Sequence, residues 1–422
     1  MKQATARFYY ILVLCFILPS GNLFNIPIKM LLSVALMFSL IFLRNKILLD
    51  KISYLLVFVI VSLFLWAAIS LANGYVETAL QCIQSFLSML LIIWLTWILY
   101  SNNIIQLKKV FCCFEIVAIG LIVFKFLCEL VFLSGIISYD DFLSLFYKIF
   151  NTKLTSLHVK LGNISLYRIM ITNDVLVLLF WSFYMIMDKK SLNKIILTIV
   201  MAFFCLLIFS RVYLVQYVLC LLVVVGISIL KANKNRKKKF STTNVLSIII
   251  GLLGLIVVAI LVLNSGIGKE IIDALYNRFF GTDADYSDSF RNEQYKYLMQ
   301  GFLSSPIWGN GTGSYPVEYI RSEIAKYSYE LEYLSFLYQF GILGFLFIIV
   351  TILYVVYKIC FVSVKNKYIK YIVIFNLAIW AIKPFFNPGF LTSNSGILIA
   401  MVCICSKYCQ QQIDKRKLIN FK

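Results

Sequence analysis

Apolar runs of about twenty residues follow one another along almost the whole chain, separated by short polar stretches; "VLSIIIGLLGLIVVAILVL" at 245–263 is apolar on every side. About twenty residues of helix are what the hydrocarbon core of a bilayer requires, and a membrane barrel would instead show short strands of alternating polarity. The pattern predicts an all-α polytopic membrane protein. Spans fall near 8–24, 26–43, 52–72, 78–100, 109–135, 169–187, 195–210, 212–230, 244–264, 332–357, 369–384 and 393–407, which is about twelve transmembrane helices with both chain ends on one side. The run from Phe8 passes through Pro19 and Gly21 without a small-residue cleavage site, so it reads as a first span and not a signal peptide.

Two polar segments break the rhythm. The shorter lies near 137–168 and the longer at 265–331, dividing the chain into 1–264 with nine spans, the loop 265–331, and 332–422 with three spans and a tail. The composition is 61% hydrophobic with a formal charge of +20, and the location of that charge decides its meaning. Arg44, Lys46 and Lys51, then Lys108 and Lys109, Lys189 to Lys194, "KANKNRKKK" at 231–239, Lys365 to Lys370 and Lys415 to Lys417 recur at every second loop. That is the positive-inside pattern, and it gives no cause to invoke nucleic acid. The segment 265–331 has six basic residues against nine acidic ones, so it is expected on the outer face. Loops this long in compact chains are functional or disordered, and its aromatic content argues for order. The eleven cysteines lie in or beside apolar runs and form no disulfide or metal-ligand spacing.

Several residues could carry chemistry. Arg211, in "LLIFSRVYLVQY", sits between two apolar runs, where an arginine is either functional or snorkels at a helix end. In "DSFRNEQYKYLMQGFLSSPIWGNGTG", Tyr295, Leu298, Met299 and Phe302 share one face, predicting a helix on the membrane surface with Arg291 in its first turn; Arg291 can pair with Asp288 or reach a ligand. "GNGTG" lacks a phosphate loop's preceding strand and lysine, and reads as a turn with positive-φ glycines. Glu330 and Glu332 open the tenth span two residues apart, so only one can face inward; each is either a helix-dipole contact or a base toward a sugar hydroxyl. Lys125 and Glu129, four apart, read as an ion pair or as cavity lining. The lone His158 has no identifiable partner, and "DADYSD" at 283–288 reads as a solvated turn.

Three of these features together resemble the bacterial O-antigen ligase and Wzy-type polysaccharide polymerase superfamily: Ser210–Arg211 at the outer end of a hairpin, Arg291 opening a helix that runs into "PIWGNGTG", and "EYLSFLYQFGILG" entering the next span. The resemblance covers about 195–346. At the last site family members commonly show His-Asn-x-Tyr-Leu-x-Leu-Leu-x-Glu-x-Gly-Leu-x-Gly; alignment on Gly341 and Gly344 places Gln339 at the glutamate and Glu330 at the ligases' histidine. The missing histidine favours a polymerase over a ligase. The resemblance implies a GT-C-like fold in the bacterial inner membrane and an active site on its outer face. There glycan on undecaprenyl pyrophosphate would be transferred to a hydroxyl of another lipid-linked unit, without a cofactor or metal, beside membrane lipid and with a chain-length regulator as a candidate partner. Arg211, Arg291 and Glu330 are the expected catalytic residues, and Glu332, Arg278, Arg321, Tyr333 and Tyr329 the expected substrate contacts. The alternatives are a ligase-like transfer to another acceptor and a lipid-linked oligosaccharide flippase.

Overall fold

The computed structural model describes residues 2–19, 23–24, 26–43, 47–151, 158–161, 164–167, 169–187, 191–208, 210–234, 276, 281–323, 325–362, 364–385, 389–390 and 392–420. Its helices are α1 (Lys2–Leu14), α2 (Ile28–Ile41), α3 (Lys51–Ala72), α4 (Val76–Ser101), α5 (Leu107–Leu133), α6 (Tyr139–Phe150), α7 (Asp174–Ile186), α8 (Ser191–Ile208) and α9 (Arg211–Lys234). Then come α10 (Thr282–Ser304), α11 (Glu332–Val356), extended by a π turn at Tyr357–Val362, α12 (Lys367–Ile382) and α13 (Ser393–Asn420). Among the described residues, six stretches are helical, long and apolar enough to cross a membrane: Lys51–Ala72, Val76–Ser101, Leu107–Leu133, Val212–Leu230, Glu332–Val362 and Lys367–Phe385. The helices Ile28–Ile41, Asp174–Ile186 and Leu192–Ile208 are apolar but shorter. The chain therefore has the multi-pass helical architecture its hydropathy predicts, while the span expected near 244–264 lies outside the described residues.

One expectation needs correction. The first apolar run forms a helix at Lys2–Leu14, earlier than the 8–24 expected; it ends before Pro19, because the residue preceding a proline is pushed out of the helical region. The helical fold carries a short hairpin in the polar segment 137–168, where β1 (His158–Leu161) pairs antiparallel with β2 (Ile164–Tyr167), His158 opposite Tyr167.

The bundle has chemically distinct ends. At one, the N-terminus of α3 meets the C-terminus of α4 through Trp97 Nε1 donating to Asp50 Oδ2 at 2.7 Å, and Lys407 lies over Tyr100 at 4.7 Å. The backbone N–H groups of Lys365 and Asn366 there donate to Gln410 Oε1. This end carries Lys51, Lys108, Lys109, Lys365 and Lys367 of the basic loops. The opposite end holds the α3–α4 turn, the start of α11 and the segment 305–331, joined by Asn73 Nδ2 donating to Asn310 O at 3.0 Å and the Tyr75 hydroxyl donating to Tyr315 O at 3.2 Å.

Candidate functional site

At that second end, α11 is broken. Gly341 takes φ 62° and ψ −173° inside an otherwise continuous apolar helix, a combination that glycine alone adopts without strain. The break frees backbone groups that a low-dielectric surrounding would leave unpaired. The "GNGTG" segment supplies their partners. Asn310 N–H donates to Tyr338 O and Gly311 N–H to Gln339 O, both at 2.9 Å, while Ile342 N–H donates to Pro306 O at 2.9 Å and Leu343 N–H to Ile307 O at 3.2 Å. Trp66 Nε1, on α3, lies between the two segments and donates to Trp308 O at 2.9 Å and Phe340 O at 3.0 Å. Gly309, Gly311 and Gly313 all have positive φ, as expected from sequence, and each also lies where a Cβ would strike backbone of Gly341, Ser70 or Thr78. Gln339 fastens the far side: its Oε1 accepts Gly313 N–H at 2.8 Å, and its Nε2 donates to Ser335 Oγ at 3.0 Å. The glycine segment is therefore a latch seated in a helix break.

The latch fixes α10 against α11. α10 buries Gln294 and Leu298 and sets Gly301 against α11; of the expected stripe of Tyr295, Leu298, Met299 and Phe302, Leu298 is buried, Met299 and Phe302 are half-buried and Tyr295 is exposed. Glycine stands at 301 because a Cβ there would lie 2.0 Å from the Tyr338 ring. Gln294 Oε1 accepts the N–H of Glu330 at 2.8 Å, holding the residues just before α11 to the surface helix.

One turn N-terminal to Gln294 is Arg291, and the same face brings it to Glu330: Arg291 Nε lies 3.0 Å from Glu330 Oε2, a charge contact not aligned as a hydrogen bond at those two atoms. Arg291 Nη1 donates to Asp288 Oδ1 at 2.7 Å, the pairing that their spacing of three offers in the sequence, whereas the contact with Glu330 is not among the sequence expectations. Arg321, across the loop, donates from Nη2 to Glu330 Oε1 at 2.6 Å. Glu330 thus lies between two guanidiniums, with its side chain 19% exposed. Beside this cluster Tyr297 stacks on Tyr319 at 5.6 Å, and Tyr319 on Tyr329 at 6.3 Å. Burial raises the phenol pKa of Tyr319 and Tyr329, so both remain protonated donors at neutral pH. Tyr329 is fully buried, its hydroxyl donating to Tyr319 O at 2.9 Å, which makes it a packing residue of this corner.

The other expected contacts point elsewhere. Glu332 is buried and accepts from the backbone N–H of Gly389 at 2.9 Å and of Phe390 at 2.8 Å, tying α11 to the segment between α12 and α13. Tyr333 donates to Ala381 O at 2.5 Å and packs edge-on against Phe385 and Phe390, away from the arginines. Arg211 opens α9 at the end of the chain's buried Ser210, but its side chain, like the whole of Arg278, lies outside the described residues. Lys125 pairs not with Glu129 but with Asp174 at 3.0 Å, both side chains fully buried, and also donates to Ile169 O. Glu129 accepts Tyr167 N–H at 3.4 Å from the hairpin. Sequence reading missed Asp174, a lone acid opening an apolar run, and the latch partner Asn310; the available signals were that acid's position and a glycine within a span.

Residues 196–349 match the family model described as O-Antigen ligase. The match runs from α8 into α11 and covers roughly a third of the chain, including Arg211, Arg291, Arg321, Glu330 and the latch. No curated protein matches the chain. The match supports the superfamily resemblance carried by the motifs. Together with the six apolar helices it indicates an O-antigen-ligase-like, glycan-handling membrane protein in the broad sense.

Proposed function

We propose that this protein polymerises lipid-linked oligosaccharide repeat units, transferring the growing glycan from one undecaprenyl pyrophosphate to a sugar hydroxyl of another at the outer face of a bacterial inner membrane. The observation that carries the reading is the Arg291–Glu330–Arg321 cluster, held on the rim of the bundle at the end away from the basic loops. In the reaction the bond between the anomeric carbon and the pyrophosphate oxygen breaks, and the acceptor oxygen bonds to that carbon. The charge developing on the departing pyrophosphate calls for guanidiniums, whose planar forks bind such oxygens bidentately. Arg291 and Arg321 fill that role, with Arg211 as a third candidate. At rest their charges are taken up by Asp288 and Glu330. An arriving pyrophosphate competes for the same N–H groups, and a Glu330 displaced from them becomes the base that receives the acceptor proton.

The residue at 330 favours polymerase over ligase, because the ligases' histidine is replaced by this glutamate; the family description favours ligase-like transfer to another acceptor. Surface glycan from a deletion strain separates the readings. Single repeat units attached to the usual acceptor support a polymerase, full-length polymer left on its lipid carrier supports a ligase, and absence of any exported unit supports a flippase and refutes both transferase readings.

A further inference from the structure

Lys383 caps the C-terminus of α12 at the same end of the bundle, half-buried, and among the described residues it has no hydrogen-bond partner and no ion-pair partner within 4.0 Å. The two lysines buried among the described residues have partners: Lys125 has Asp174, and Lys29 donates to Leu18 O at 3.3 Å and lies over Phe16. The acids nearest Lys383 in the field, Glu332 and Asp174, are engaged elsewhere, the first by the N–H groups of Gly389 and Phe390 and the second by Lys125 and Ile171 N–H. Lys383 instead lines a narrow cleft with Thr172, Thr392, Asn394 and Ser395, and its Nζ stands 6.0 Å from the ring of Tyr213, two residues after Arg211 opens α9. An unpaired cation held half-buried at the end of an apolar helix is costly unless something anionic visits it.

The cleft also limits what can enter. It encloses about 10 Å³, the room of a single water-sized group, so it takes one oxygen of a ligand lying at its mouth and not a whole sugar. Two donors face such an oxygen. One is Lys383 Nζ. The other is the Thr172 hydroxyl, which accepts from Asn394 Nδ2 at 2.6 Å and so keeps its own proton to donate. The Arg291–Arg321 cluster is charge-balanced at rest by its two carboxylates, whereas Lys383 is not.

We propose that Lys383, with Thr172, is an anion subsite that receives a phosphate oxygen of the lipid-linked donor. The proposal rests on the polymerase reading for the identity of the donor, and on geometry alone for the anion. Lys383 lies outside the residues that match the family model.

The test is calorimetric titration of the full-length protein in neutral-lipid nanodiscs with farnesyl pyrophosphate and, separately, inorganic pyrophosphate. The wild type, Lys383→Gln and Lys383→Arg are compared, each with its thermal unfolding midpoint. We expect Lys383→Gln to weaken both pyrophosphates by about tenfold or more, the scale of one charged hydrogen bond, and Lys383→Arg to restore most of the affinity. Without ligand, Lys383→Gln should melt at or above the wild-type temperature, because no ion pair is lost, and should gain less stability when pyrophosphate is added. A lower midpoint with unchanged affinity would make Lys383 a structural counter-charge to Glu332 and Asp174 and overturn the proposal. Nanodiscs doped with anionic phosphatidylglycerol identify the source of the phosphate: displacement of farnesyl pyrophosphate by this lipid at equal affinity would make the cleft a headgroup site and refute the donor assignment. A wild type that binds neither pyrophosphate refutes the polymerase reading as well, whereas wild-type binding with an indifferent Lys383→Gln refutes only the subsite.

Discussion

Replacing Gly341 by alanine should unseat the latch without unfolding the bundle. The strain comes first: at φ 62° and ψ −173° any side chain costs about 1–3 kcal/mol. The new Cβ would also lie 2.2 Å from Ile307 O, 2.4 Å from Ile307 C and 2.6 Å from Gly309 N. All three are backbone atoms, so no rotamer change relieves the contact and the segment must move. Movement breaks at least the Ile342–Pro306 and Leu343–Ile307 hydrogen bonds, each contributing about 0.5–1.5 kcal/mol. The combined penalty is about 2–6 kcal/mol, and 3 kcal/mol already shifts the seated-to-unseated ratio by more than a hundredfold. Hydrogen exchange reads this directly: the amides of Gly311 and Thr312, both bonded to the broken helix or to α3, should lose protection in Gly341→Ala, while α4 and α13 keep theirs. Gly226→Ala is the control, since nothing lies within 4 Å of a Cβ there and alanine is the better helix former. If Gly341→Ala leaves the latch amides as protected as in the wild type, the break is not held by this segment and the positioning of Arg291 needs another explanation.

Four further outcomes follow from the same geometry. Glu330→Gln should reduce polymer formation by about 10²–10⁴-fold while changing stability by only about 0.2–1 kcal/mol, because its ion pairs are partly exposed. Glu332→Gln should show the reverse, a stability loss of about 1.5–3 kcal/mol from weakened charge-assisted bonds to Gly389 and Phe390; unfolding midpoints and polymer length on gels separate the two. Asp174→Asn removes the buried carboxylate paired with Lys125 and should cost about 3–5 kcal/mol, read as lost yield of folded protein, and a wild-type yield would show that the pair is not structural. A cysteine at Glu323, whose side chain is 80% exposed, should react with a membrane-impermeant maleimide in spheroplasts, and labelling only after lysis would invert the topology; Ser314 is fully buried and unsuited to this test.

The spans that sequence read well are those where length and apolarity act together: Lys51–Ala72 and Val76–Ser101 lie within a residue or two of the stretches that hydropathy predicts. The polar loop read less well, because nothing periodic governs 305–331. The helix was visible, with Leu298 on its buried side, but its start was not: α10 begins at Thr282 and takes in 283–288, which read as a turn. A hydrophobic stripe points a helix at lipid or core, whereas α10 packs through a glycine and a glutamine, chosen by closeness to Tyr338 and by the N–H groups of Glu330 and Leu331. Lys125 failed similarly. Spacing of four offered Glu129 as its partner, while Asp174 was hidden 49 residues away and became reachable only when α5 packed against α7.

The two glutamates show how much a two-residue offset decides. Both precede or open the same helix, and sequence could say only that they diverge. The divergence turns on where α11 begins. Glu330 lies before the first helical residue, where Gln294 holds its backbone and its side chain is left to the loop arginines. Glu332 is the first residue of the helix and turns inward to the N–H groups of the α12–α13 connection. One carboxylate therefore stabilises the scaffold and the other stays on the rim between cations, where an incoming anion can compete for its partners. The same helix start also explains why the Gly341 break matters for the rim: nine residues later it seats the latch that holds α10, and α10 carries Arg291. The chemistry proposed for Glu330 and the packing at Gly341 are thus coupled through a single helix, so polymer formation should respond to the latch variant even though Arg291 and Arg321 lie outside the latch.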